Sequence, residues 1–391
     1  MRKVYVDHGA GMPLDSRVLE AMKPYLLADY GNPSSSHSYG NSAKEALAAS
    51  REKVARLVAA EKSRDVIFTS GGTESNNLAL KGVAFRNREK GNHIITTAIE
   101  HMSMINVCKY LQKQGFEVTY VPVDTQGVVD VEKLKAAITD KTILISVMYA
   151  NGEIGTIQPI REIGKLAREN SVLFHVDAVA AAGKVPINVK EENIDLLSVS
   201  SNDMYGPKGV GALYIKQGTK LVPIDQGGGQ ENGLRSGTEN IPGIVGMGKA
   251  AELAQTEMES EGKRLTGLRD KLIKGVLGTI DYSFLNGHPS QRLPGNANLR
   301  FSYIEGESLI LGLDLYGIQV SSGSACTSKT LEPSHVLTAI GLPHEVAHGS
   351  LVFTMGKQNS EDDVNYILEV LPDVVNRLRA LSPLTPKEIL R

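Results

Sequence analysis

The chain has little of what would mark a special environment. Its two cysteines, Cys108 and Cys326, are too few for a disulfide framework, so thiol chemistry is local to one of them and a reducing compartment is expected. No run of about 18 apolar residues occurs and the first residues form no apolar signal segment, so no membrane span is read and a cytoplasmic protein is expected. A net charge of −2 and a pI near 6.5, with both signs interspersed, leave no basic footprint for nucleic acid. Tryptophan is absent, which by itself excludes nothing. No repeat or low-complexity tract is apparent.

At 391 residues the chain exceeds the size at which one hydrophobic core keeps growing, and two domains are expected. Residues 16–27 and 43–62 carry helical periodicity, and 65–69, 93–97, 117–122 and 142–148 read as strands. Helical stretches at 105–114 and 131–138 separate the later strands. Such alternation implies a mainly parallel sheet with helices on both faces and a site at the strand ends. A long polar helix over residues 244–277 then leads out of the first domain.

Several stretches carry candidate chemistry. Ser70-Gly71-Gly72-Thr73-Glu74-Ser75 opens a helix directly after a strand, a turn that presents backbone N–H groups and a positive dipole end to an anion. Most such turns only cap a helix. Cys326 lies in Gly323-Ser324-Ala325-Cys326-Thr327-Ser328, whose small and hydroxylated neighbours favour an exposed thiol, whereas Cys108 sits on an apolar helical run and reads as packing. His344-Glu345-Val346-Ala347-His348 spells the His-Glu-x-x-His pattern of zinc peptidases. Pro343 holds His344 at the start of any helix and no third-ligand continuation follows, which leaves zinc peptidase as a remote alternative.

These stretches, with Gly31-Asn32-Pro33-Ser34-Ser35-Ser36-His37, Val176-Asp177-Ala178 and Gly233-Leu234-Arg235-Ser236-Gly237-Thr238, resemble cysteine desulfurases of the NifS/IscS type, which are class V aminotransferase-like enzymes dependent on pyridoxal phosphate (PLP). The resemblance runs from about residue 3 to residue 384. It implies the α/β, type I PLP-dependent transferase fold, with a large domain at 15–255 and a smaller α+β domain from 1–14 and 256–391. It places Gly72, Thr73 and Ser200 at the cofactor phosphate, His101 on the ring and Asp177 at the pyridine nitrogen. Thr238 would reach the phosphate from the neighbouring subunit of a homodimer. Cys326 corresponds to the mobile-loop cysteine that attacks substrate sulfur and carries a persulfide. Relatives bind an IscU-type iron–sulfur scaffold through their C-terminal segment and pass sulfur to it.

The match breaks where the chemistry should be. The family loop reads Ser-x-His-Lys-x-x-Gly-Pro-Lys-Gly, its first lysine forming the Schiff base; here Asn202 and Asp203 stand at the histidine and the lysine. Lys208, the nearby amine, belongs to the Gly-Pro-Lys-Gly turn. Gly152 and Ala180 replace an asparagine and a glutamine that contact the ring hydroxyl, and Val352 replaces the arginine that grips the amino-acid carboxylate. Gly11 and Met12 stand where threonines are expected near the substrate. Without amine and fork the desulfurase reaction is expected to be lost or strongly impaired, with PLP bound non-covalently or absent. Cys326 is then expected to serve as a ligand to an iron–sulfur cluster shared with the scaffold, or as a sulfur acceptor, in a complex of two subunits and two scaffolds. The alternative is an active PLP-dependent desulfurase producing L-alanine and a Cys326 persulfide.

Overall fold

The computed structural model describes residues 2–323 and 333–388. The chain opens with β1 (Val4–Tyr5), α1 (Ser16–Leu27) and α2 (Ser38–Leu57). Strands and helices then alternate: β2 (Val66–Thr69), α3 (Gly72–Arg86), β3 (His93–Thr97), α4 (Met102–Lys113), β4 (Glu117–Val121), α5 (Val131–Ala136), β5 (Thr142–Met148), α6 (Ile160–Glu169) and β6 (Leu173–Asp177). After β7 (Leu196–Ser200) and β8 (Gly211–Ile215), the long α7 (Ile241–Thr279) leads away. The remainder is β9 (Ser283–Asn286), β10 (Asn296–Phe301), α8 (Gly306–Asp314), β11 (Ile318–Gln319), α9 (His335–Ala339), α10 (His344–Ala347), β12 (Ser350–Thr354) and α11 (Glu361–Leu381).

Seven strands form one sheet in the order β2-β8-β7-β6-β5-β3-β4, parallel except that β8 opposes both neighbours. Successive strand residues face opposite ways, and in this sheet both ways are apolar. Phe68, Ile95, Ile145 and Leu197 join a core with α1, α2, α6 and the first part of α7, while Ile67, Ile94, Leu144 and Leu196 join another with α3 and α4. Cys108 lies fully buried in the second core, where burial pushes its thiol up to about 12. A further core packs Val4 and Val6 against Leu268, Leu272 and Val276 of α7 and against β10, β12, α8 and α11. One unbroken helix therefore gives Ala254 to the first core and Leu268 to the last.

The helix that departs most from the periodicity reading is α2, at both ends. α2 starts earlier because the His37 side chain accepts a hydrogen bond from Gly40 N–H (3.3 Å). It stops before residue 62 because Ala59, at φ 53°, turns the chain left-handed, with Ala60 N–H closing on Ala55 O at 2.9 Å. Between β8 and α7, Glu231 staples the connection to β2. Its carboxylate accepts from both Arg51 nitrogens at 2.6 Å and from Phe68 N–H at 2.7 Å. Among the described residues no helix is long and apolar enough to cross a membrane.

All strands of the large sheet except β8 point the same way, so their C-terminal ends share one edge. The segments that leave that edge build the site.

Candidate functional site

A cavity of about 490 Å³ opens at this edge, within the usual range for small-molecule pockets. From β2 come Gly72 and Thr73, from β3 Glu100 and His101, from β5 Gly152 and Glu153, from β6 Asp177 and Ala180, and from β7 Ser200, Asn202 and Asp203. At the β2 corner α3 has no side-chain cap, so its first N–H groups are left for a partner in the cavity.

Asp177 closes the floor. It is 5% exposed, and it accepts from Asn76 Nδ2 at 2.7 Å and from Val179 N–H at 3.0 Å. Burial raises its pKa, with those hydrogen bonds opposing. No lysine or arginine lines the cavity among the described residues, so this carboxylate is arranged to meet a cationic group entering from it. His101 lines the rim and caps α4 as well, accepting Ser103 N–H on Nδ1 at 3.1 Å.

Four more carboxylates line the cavity: Asp7, Glu100, Glu153 and Asp203. Glu100 is fully buried. Its Oε1 accepts from Thr97 Oγ1 (2.6 Å) and Met148 N–H (3.0 Å), while Oε2 has no partner among the described residues. Burial pushes its pKa up to about 8, and does the same for Glu153, whose Oε2 accepts from Ser334 Oγ at 2.7 Å. Both carboxyls are therefore largely neutral at pH 7.

Asp203 sits on a tight turn over residues 202–204, fixed on its far side by Tyr205 at φ 61°, whose hydroxyl accepts Lys357 N–H at 2.8 Å. Burial raises the Asp203 pKa, opposed first by Lys184, whose Nζ stands 4.0 Å from Oδ1. The sequence reading missed Lys184. Its one local signal is the spacing of four that lets Nζ donate to Ala180 O at 3.0 Å in the turn after β6. Lys208, the amine that the sequence puts nearest, turns away and donates to Met12 O at 3.2 Å beside a different cavity. Val352 is 4% exposed and lines the main cavity with an apolar surface.

Some candidates do not join this cavity. Thr238 is exposed in the segment that leads into α7. Cys326 lies outside the described residues, though Gly323 and Ser334 on either side of its segment line the cavity. His344, the first residue of the one-turn helix α10, and His348, which caps its end, bring their rings to 4.6 Å, with His344 and Glu345 exposed. Among the described residues no three histidine, cysteine or acidic side chains gather as a metal site, so the zinc-peptidase alternative lacks its third ligand.

Comparison with known proteins agrees with this architecture. The family model for aminotransferase class V matches residues 4–367. The chain is 55% identical over 387 residues to cysteine desulfurase IscS of Methanosarcina thermophila, covering 99% of this chain and 95% of that protein. It is 56% identical over 380 residues to cysteine desulfurase IscS 1 of Archaeoglobus fulgidus, covering 97% and 99%. Among solved structures, a NifS-like protein superposes with a TM-score of 0.91 at 38% identity, covering 96% of this chain and all of that one. Fold, matched length and identity together make this chain a member of the class V aminotransferase family, on its branch of NifS/IscS-type cysteine desulfurases.

Proposed function

We propose that this chain serves iron–sulfur cluster assembly as a desulfurase-family subunit that does not itself release sulfur from free cysteine. The observation that carries this reading is the buried carboxylate of Asp203 in a cavity whose described lining has no lysine or arginine. PLP, when bound, supplies an electron sink for chemistry at the α-carbon of an amino acid. Two ends of the cavity fit it. The uncapped start of α3, with Gly72, Thr73 and Ser200, would hold the phosphate, joined by Thr238 of a partner subunit. Asp177 would meet the ring nitrogen and His101 would lie against the ring. The third end does not fit, because Asp203, Ala180 and Gly152 give the aldehyde and ring hydroxyl nothing to bond. No bond to the cofactor comes from residue 203. A substrate carboxylate would enter beside acidic groups with no fork to hold it.

Sulfur chemistry then falls to Cys326 in a homodimer carrying two IscU-type scaffolds, where the thiolate completes a cluster's coordination or accepts sulfur made elsewhere. Co-purification with the scaffold tests this. The Cys326→Ser protein should form the same complex and lose or destabilise the cluster; no complex, or a cluster indifferent to the change, contradicts the reading.

A further inference from the structure

Four buried side-chain atoms without a hydrogen-bond partner among the described residues belong to residues that line the main cavity: Asn76 Oδ1, Glu100 Oε2, Glu153 Oε1 and Asn202 Oδ1. All four are oxygens. Burying a polar atom unpartnered is costly, so their gathering around one cavity points to a ligand that supplies hydrogens. Asn76 Nδ2 already donates to Asp177 at 2.7 Å and to Ser103 Oγ at 2.9 Å, so its oxygen belongs to the floor that Asp177 closes. The other three lie elsewhere.

Glu100 and Glu153 occupy one side of the cavity. Asn151 ties their segments together, donating from Nδ2 to Ile99 O and accepting Glu153 N–H on Oδ1, both at 2.9 Å. The start of α9 touches both as well: Ser334 Oγ donates to Glu153 Oε2, and His335 Nε2 donates to Glu100 O at 2.9 Å. Each carboxyl spends one oxygen on the protein and keeps the other. Glu153 also borders Val352, since a β-carbon built on Gly323 would stand 2.7 Å from Glu153 Cγ and 2.9 Å from Val352 Cγ2. Where the family resemblance expects a fork for a carboxylate, this chain has an apolar side chain beside an acid. Asn202 and Asp203 add an acceptor and a carboxylate from the turn after β7.

We propose that the main cavity binds an aliphatic diamine, one ammonium group donating to Glu100 Oε2 and Glu153 Oε1 and the other to Asn202 and Asp203, and that it rejects amines carrying a carboxylate. An ammonium group offers three donors and no acceptor, which suits a lining of oxygens. Val352, Met148 and Ala180 give the methylenes apolar surface. A metal ion needs its ligands around one point, and among the described residues no three acidic, histidine or cysteine side chains gather so. The inference goes beyond the assembly role. It leaves the Asp177 floor and the start of α3 free, so it needs neither PLP nor Cys326. Burial holds the Glu100 and Glu153 pKa values up at about 8, so an arriving ammonium at pH 7 displaces a proton from the pair to solvent. The other titratable groups facing this space are Asp7, His101, Asp177, Asp203 and His335, with Lys184 behind Asp203.

The test is isothermal titration calorimetry with 1,4-diaminobutane at pH 7, in phosphate and in Tris, whose different ionisation heats count the protons released. L-ornithine, the same diamine bearing a carboxylate, and Mg²⁺ are the comparisons. The expected result is saturable binding of the diamine, roughly tenfold or more tighter than either comparison, with release of about one proton. Glu153→Gln, which keeps an oxygen for Ser334, should weaken binding by roughly tenfold and cut the proton release. Ornithine or Mg²⁺ binding as tightly as the diamine overturns the proposal. Binding that releases no proton overturns it too, by placing the diamine on surface carboxylates that are already ionised, and so does the absence of saturable binding. The wild-type proton count and the ornithine comparison decide even if the variant folds poorly, and none of these results bears on the cluster measurement with Cys326→Ser.

Discussion

Asp203→Lys should give a protein that holds PLP covalently and still turns over free cysteine poorly. The substitution restores an amine on a turn whose backbone is already fixed by Tyr205 and Lys357, so the new side chain starts from a defined position at the cavity wall. It also places a second cation beside Lys184, and like charges at that distance drive one amine toward its neutral form. A visible absorption band that survives gel filtration is the expected sign of attachment. Turnover stays low because Val352 offers no charge to the substrate carboxylate, and because Ala180 and Gly152 leave the ring hydroxyl unpartnered. Adding Val352→Arg should raise kcat/KM by roughly tenfold to a hundredfold, the usual worth of hydrogen bonds to a charged group. Equal activity of the single and double variants would show that the missing arginine is not what limits the reaction.

Glu100→Gln should flatten the fall in stability with rising pH. Glu100 is buried with its pKa pushed up to about 8, whereas in the unfolded chain it titrates near the ordinary carboxylate value. A raised pKa contributes stability that is fully present below the unfolded value and is lost as pH rises through the folded one. The window is therefore pH 4.5 to about 8, and at about 1.4 kcal/mol per tenfold in proton affinity the loss is roughly 4–5 kcal/mol. Glutamine keeps an oxygen for Thr97 and Met148 and cannot ionise. Urea midpoints should show the variant ahead of wild type at pH 8.5 and level with it at pH 4.5. Part of the fall persists, because Glu153 carries the same kind of shift. An advantage that is the same at both pH values would mean that Glu100 is already ionised in the fold.

Much of the frame was legible because continuous apolar, β-branched runs such as 93–97 and 142–148 have no stable place except a sheet covered on both faces. Strand ends then mark where Gly72, His101, Asp177, Ser200 and Asp203 must gather. Helix ends were less legible. α2 begins on a histidine cap and closes through a left-handed alanine, neither of which carries the usual serine or glycine signal. Lys184 was hidden for a different reason. Its approach to Asp203 exists only because β6 and β7 are neighbours in the sheet, which brings the turns after them together. The carboxylate-rich character of the cavity was likewise invisible, since Glu100, Glu153 and Asp177 come from three separate strand ends.

Sulfide release from free L-cysteine under dithiothreitol, with PLP supplied in excess, tests the central claim most directly. The account predicts that the wild-type protein produces sulfide no faster than its Cys326→Ser variant. Steady sulfide release that the Cys326→Ser substitution abolishes would contradict it, and would show that a complete desulfurase site operates despite Asp203 and Val352.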